Sequence, residues 1–134
     1  MNHRRYAHIC VILNSYIYAI GGFDSKDADG VPPSTLDSCE KFGLHENKWT
    51  TSCAMNEARA FHGAVAASEQ YIYAFGGFHD YEVLSTIEKF DSVLDNWLTL
   101  YVKLPNPLAK MGCVTIDNSR TILIAGGMDG TYTR

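Results

Sequence analysis

The side chains with which this chain could do chemistry are two histidines, His8 and His62, four cysteines, two glutamates inside apolar runs, Glu40 and Glu88, and an acidic polar stretch from Asp24 to Ser34. Imidazoles would serve as bases or metal ligands, and thiols as nucleophiles, redox pairs or zinc ligands. Cys10, Cys39, Cys53 and Cys113 are 29, 14 and 60 residues apart, with neither a Cys-x-x-Cys pair nor a Cys/His cluster. That spacing indicates neither a zinc site nor a dithiol redox centre. Ser25-x-Asp27-x-Asp29-Gly30 sets a glycine at the sixth place of a calcium-type loop. Its first ligand would be Ser25 and its twelfth Leu36, where a bidentate carboxylate is required. No phosphate-binding glycine loop, nucleophile elbow or His-Glu-x-x-His is present. The expectation is therefore no catalytic residue, no metal and no cofactor.

Internal similarity explains these residues better. Tyr16-Ile17-Tyr18-Ala19-Ile20-Gly21-Gly22-Phe23 returns as Tyr71-Ile72-Tyr73-Ala74-Phe75-Gly76-Gly77-Phe78, and more loosely as Thr121-Ile122-Leu123-Ile124-Ala125-Gly126-Gly127-Met128. Arg5-x-x-His8 returns as Arg59-x-x-His62, Glu40-Lys41-Phe42 as Glu88-Lys89-Phe90, and Trp49 as Trp97. Several landmarks in one order mark a structural repeat. The first unit is longer by seven residues between its glycine pair and its glutamate, which places a longer loop at Asp24–Ser34.

A residue repeated in register serves the repeat, whereas a ligand site uses residues that differ between repeats. On that rule His8 and His62 each make the same local hydrogen bond. Glu40 and Glu88, expensive to bury alone, are paired with Arg5 and Arg59. Trp49 and Trp97 pack between units. Cys10, Ala64 and Cys113 share one small core position, Cys39 is core, and Cys53 alone is expected to be exposed. Cys53 has no neighbouring Lys or His in sequence to make it a reactive thiolate.

The elements that position these residues are short strands. Ala7–Leu13 and Gly63–Ala67 come first, and Tyr16–Ile20 and Tyr71–Phe75 second, stopping at Gly-Gly. Leu36–Phe42 and Leu84–Phe90 come third, followed by a turn and a Trp-led fourth strand. No helical periodicity is present. Even spacing with Gly-Gly and aromatic marks predicts an all-β chain of β-propeller blades of four antiparallel strands. The blades are expected at 4–55 and 56–104, with the first half of a third at 105–134. A composition 46% hydrophobic and 19% charged excludes a disordered chain. Eleven Lys+Arg against 15 Asp+Glu, with no basic cluster, argues against nucleic acid. Arg4–Arg5 before the apolar Ile9–Leu13 imitates a leader, but the run is short and belongs to the repeat. No apolar run reaches the ~18–20 residues of a membrane-spanning helix. The expectation is a cytoplasmic protein.

Arg-x-x-His, an aliphatic strand ending in Gly-Gly, Glu-Lys-Phe and a spaced Trp together resemble the kelch repeat. The likeness is full for Arg5–Trp49 and Arg59–Trp97 and partial for Leu108–Asp129, where Leu108 and Met111 replace the Arg and His. It implies a propeller of about 4–8 blades, of which this chain supplies two and a half. It also implies a non-enzymatic protein-interaction module, such as the substrate-recognition part of a cullin-type ubiquitin-ligase adaptor or a cytoskeletal scaffold. A fragment of a copper oxidase of the galactose-oxidase kind, and an incomplete gene product without independent function, are the alternatives. Such modules bind a protein or peptide on the loop face. The loops that differ between units, carrying Phe23, Asp24, Ser25, Lys26 and Asp27 in the first and Phe78, His79, Asp80 and Tyr81 in the second, would form it. Phe61, whose equivalents are Ala7 and Lys110, completes the set, and Met128 and Asp129 hold the corresponding place in the third unit. Open blade edges invite self-association.

Overall fold

The computed structural model describes residues 1–24, 32–118 and 120–131. Every regular element among them is a strand. Ile9–Leu13, Tyr16–Ile20, Cys39–Gly43 and Lys48–Ser52 form the first antiparallel sheet, each strand beside its sequence neighbour. Gly63–Ala67, Tyr71–Phe75, Ile87–Asp91 and Asn96–Thr99 repeat it. Gly112–Ile116 and Thr121–Ala125 make a third, two-stranded unit. These are two blades and a hairpin of a propeller, arranged as an open arc rather than a closed ring.

The boundaries depart from the sequence reading at two places, for one reason. Ala7 takes φ +54°, so the first strand starts at Ile9 and not at Ala7. The third strands start at Cys39 and Ile87 because the residues before them bond to the glycine pair of their own blade and to the start of the next unit. The Leu36 N–H reaches the Gly22 carbonyl (2.7 Å) and the Leu36 carbonyl accepts from the Arg59 N–H (3.1 Å). Backbone groups spent on these contacts are lost to the sheet.

Alternation along each strand gives every sheet two apolar faces. Val11, Leu13, Tyr18, Ile20 and Cys39 of the first blade meet Ala64, Ile72, Ala74, Phe90 and Trp97 of the second in one core. Tyr18 and Phe90 cross it edge to face at 5.4 Å. The second blade's other face, with Val65, Phe75 and Ile87, packs on Cys113, Ile122 and Ile124 of the hairpin. The glycine pairs make these joints possible. Gly21 has φ +59°, and a Cβ there would lie 2.4 Å from the Arg59 carbonyl; Gly76, at φ +53°, would meet the Leu108 carbonyl at 2.2 Å. Gly22 and Gly77 donate their N–H groups to those same carbonyls, at 2.9 and 2.8 Å. The double glycine is the hinge-pin between blades.

Candidate functional site

The repeated polar residues form two copies of one buried clamp. Arg59 and Glu88 have no exposed surface. The guanidinium donates to Glu88 Oε2 (2.8 Å), to the Gly76 carbonyl (2.7 Å) and to Thr86 Oγ1 (3.2 Å). The carboxylate also accepts the N–H groups of Asn56 (2.7 Å) and Glu57 (3.2 Å). Asn56 then donates its amide to the Trp97 carbonyl (3.1 Å). Arg5 repeats the pattern on Glu40 (3.1 Å) and on the carbonyls of Gly21 and Ser38, both at 2.8 Å. Asn2 and His3 supply the backbone donors to Glu40, at 2.6 and 3.2 Å. Burial alone would raise the Glu40 pKa; the Asn2 N–H, the Arg5 guanidinium and the His3 N–H outweigh it and hold the carboxyl below its ordinary value. The terminal guanidinium nitrogens and the carboxylates are all hydrogen-bonded, with only the Nε of each arginine left without a partner, and both pairs are scaffold.

The histidines do not make the shared hydrogen bond expected of them. His8 Nδ1 and both ring nitrogens of His62 are buried without a hydrogen bond of ordinary geometry. Their Cβ atoms instead pack where a side chain on Gly22 or Gly77 would stand, and His62 Cε1 abuts Gly21 of the preceding blade. Burial, then the Arg59 charge, depress the His62 pKa to about 3; burial and Arg5 lower that of His8. The imidazoles are neutral spacers.

The cysteine reading is corrected in part. Cys39 is buried, which pushes its thiol up to about 12. Cys10 is exposed and Cys53 half-buried, the reverse of expectation. Ala64 and Cys113, at Cys10's repeat position, each pack on a preceding blade; Cys10 faces outward because none covers it in this structure.

Loop residues of both blades and of the hairpin gather on one face. Phe23 contacts Phe61 (5.8 Å between ring centroids), Phe78 (6.5 Å) and Tyr6 (5.3 Å). Phe61 and Lys110 sit at repeat-equivalent positions with Ala7, and all three take positive φ, at +51°, +57° and +54°. Each donates its N–H to the one before: Phe61 to the Ala7 carbonyl (2.9 Å) and Lys110 to the Phe61 carbonyl (2.7 Å). This relay runs from blade to blade and carries a different side chain at each step. Phe78–His79 and Glu82–Val83 form a hairpin whose two central residues, Asp80 and Tyr81, both have positive φ. That is the two-residue turn normally given to Asn-Gly, and it lifts Tyr81 to 83% exposure. His79 Nε2 lies 3.2 Å from Asp80 Oδ2.

Two adjoining depressions result. One, of about 350 Å³, lies between Phe61, Phe78, Tyr81, Val83, Met128 and Lys110, with Phe23 in its wall. The other, of about 530 Å³, lies between Phe23, Pro33, Thr35, Phe78, His79 and Tyr81. Of the residues expected in the recognition set, Phe61, Phe78, His79, Asp80 and Tyr81 come together here. Phe23 and Asp24 are buried rather than displayed in a loop, because Phe23–Asp24 pairs with Arg5–Tyr6. Ser25, Lys26 and Asp27 lie outside the described residues. Val83 and Lys110 also line the cleft; the residue order does not point to Val83, and it gives Lys110 only as the equivalent of Phe61. Its position in the Ala7–Phe61–Lys110 series was the signal that could have found it. Among the described residues, no three His, Cys, Asp or Glu side chains are placed to hold a metal, and no helix is long and apolar enough to cross a membrane.

Comparison with known proteins agrees with this geometry. Kelch-like protein 13 of Homo sapiens is 31% identical over 88 residues, covering 66% of this chain and 13% of that protein. Spermatocyte protein spe-26 of Caenorhabditis elegans is 28% identical over 131 residues, covering 97% of this chain and 22% of its own. Alpha-scruin of Limulus polyphemus is 26% identical over 129 residues, covering 96% and 14%. The chain thus spans less than a quarter of the length of each of these relatives. The Kelch motif family profile matches residues 4–52 and 59–100, the two stretches that carry the Arg5–Glu40 and Arg59–Glu88 pairs, the first two glycine pairs and both tryptophans, and the chain belongs to the kelch-motif family.

Proposed function

We propose that the chain is a non-enzymatic protein-interaction module that binds a protein or peptide through the face carrying Phe61, Phe78, His79, Asp80 and Tyr81. The observation that carries this reading is the aromatic cleft at that face. Phe61, Tyr81, Val83, Lys110 and Met128 of its lining differ between blades, whereas the repeated Arg and Glu residues are consumed by the scaffold. Aromatic anchors beside charged groups are what protein interfaces concentrate at their centres. The likeness to kelch-like proteins supports a finer role in a cytoplasmic assembly, either substrate recognition for a cullin-type ligase adaptor or a cytoskeletal scaffold. The blade division at 4–55, 56–104 and 105–134 belongs to the same reading, as does self-association through uncovered blade faces. Copper-oxidase chemistry would need Tyr, His and Cys side chains converging from several blades, and the blade histidines are engaged against glycine.

Affinity capture from cell extract with the native chain and with a Phe61→Ala/Tyr81→Ser variant, read by mass spectrometry, tests the assignment. Partners lost selectively from the variant, with its melting curve unchanged, are the expected result. Identical partner sets would overturn the site.

A further inference from the structure

Lys110 occupies a costly backbone position. Its φ of +57° is matched by +54° at Ala7 and +51° at Phe61. Bulky residues are rare in that region, and because the conformation recurs in each unit it is the relay between blades that sets it and with it the direction in which the side chain is aimed. The relay fixes that aim, since Lys110 N–H is held on the Phe61 carbonyl at 2.7 Å. Its ammonium stands 4.8 Å from the centre of the Phe61 ring, a cation–π contact that keeps the charge at the rim. Of the residues lining the 350 Å³ cleft, Lys110 alone is charged; the rest are aromatic, aliphatic, methionine or glycine.

Size and charge together choose the ligand. The cleft is at the lower end of the ~300–1,000 Å³ typical of ligand pockets, enough for one or two side chains. Nearby carboxylates leave Lys110 free for a ligand acid. Asp80 lies in the adjoining depression beyond Tyr81, beside His79. Asp129 turns back onto the Thr131 N–H at 2.9 Å. With a chain net charge of −4, long-range steering does not favour an acid, so selection rests on the contact with Lys110.

We propose that this cleft reads an extended peptide in which an apolar side chain is followed by an acidic residue. The apolar group enters between Phe61, Tyr81 and Met128, and the carboxylate meets Lys110. The proposal rests on the loop-face reading above and deepens it. It is tested on the whole chain by fluorescence polarisation with dye-labelled Gly-Ser-Φ-X-Ser-Gly peptides, where Φ is Leu, Phe or Ala and X is Glu, Gln or Lys. Leu-Glu and Phe-Glu peptides should bind about fivefold tighter than their Gln counterparts, with Lys weaker still and Ala at Φ abolishing binding. Lys110→Glu should invert the order to favour Lys at X. Phe61→Ala should weaken every peptide without disturbing the backbone, since Ala7 already holds the equivalent conformation in the first blade.

Equal affinity for Glu and Gln, or a Glu preference that survives Lys110→Glu, would overturn the acidic specificity. If that binding is still lost in Phe61→Ala, the loop face itself stands. Absence of binding by all peptides at millimolar concentration would overturn the proposal, leaving the loop face to the capture experiment.

Discussion

Arg59 has no exposed surface, and Glu88, Glu57, the Gly76 and Thr86 carbonyls and Thr86 Oγ1 accept from its two terminal nitrogens. Removing Glu88 leaves the buried Arg59 with Glu57, at 3.4 Å, as its remaining carboxylate, which costs on the order of 3 kcal/mol. Glu88→Ala should lower the denaturation midpoint by that order, and an unchanged midpoint would contradict the clamp. Glu40→Ala should cost less, because part of its surroundings is the partly exposed Asn2–His3 segment. His62 sets a pH dependence. Its folded pKa, about 3, lies below its ordinary 6.5, so the unfolded chain binds more protons between those values. Its contribution to stability is complete above pH 6.5 and is lost as pH falls toward 3. His8 acts in the same direction. The Glu40 contribution is present above its ordinary 4.5 and fades below it. Urea titrations between pH 7.5 and 5 should therefore show stability falling with pH, and His62→Gln should flatten that slope. Equal slopes would remove His62 as the cause.

The inter-blade joint is the element on which the arc depends, and its glycines are not equivalent. Gly76 and Gly126 both take positive φ, so alanine at either costs about 1–2 kcal/mol for the left-handed backbone. A Cβ on Gly76 would also strike the Leu108 carbonyl, whereas one on Gly126 meets nothing within 4 Å. Gly76→Ala should loosen the third hairpin from the second blade, seen as faster amide exchange in Gly112–Ile116 and Thr121–Ala125. Gly126→Ala should lower stability without that selective loosening. Equal exchange in the two variants would deny the joint its role.

At the scale of the molecule, two blade faces lie open among the described residues, at the register positions that pack together where the first and second blades meet. Cys10, Ile12, Ile17, Phe42 and Trp49 share a face by strand register, and their equivalents in the second blade pack on the first. Val114, Ile116 and Leu123 hold the opposite face of the hairpin. Ile12 is 65% and Leu123 51% exposed. Such unlike, complementary patches associate head to tail and do not close with two copies. The chain by itself should form concentration-dependent oligomers in sedimentation velocity. Ile12→Lys and Leu123→Lys should each be monomeric alone and give only a dimer when mixed, because each retains the half that the other lacks. A monomeric native chain at all concentrations would overturn this.

Period-two strands, doubled glycines and recurring Arg, Glu and Trp were legible in the residue order because each blade solves the same local problem. Partner strands lie next to one another in sequence, and a satisfied clamp needs the same residues each time. That is why the Arg5–Glu40 and Arg59–Glu88 pairs could be read without coordinates. Exposure could not, since it depends on what lies against a face: Cys10 and Ala64 share a register position, yet only Ala64 is covered. Nor could the cleft. Phe61, Tyr81, Lys110 and Met128 are brought together by blade packing and by a relay of left-handed residues, neither of which leaves a periodic mark. By itself the sequence determined the repeated scaffold. Only the tertiary structure decided which variable side chains share a surface, because that is settled by contacts between blades about fifty residues apart.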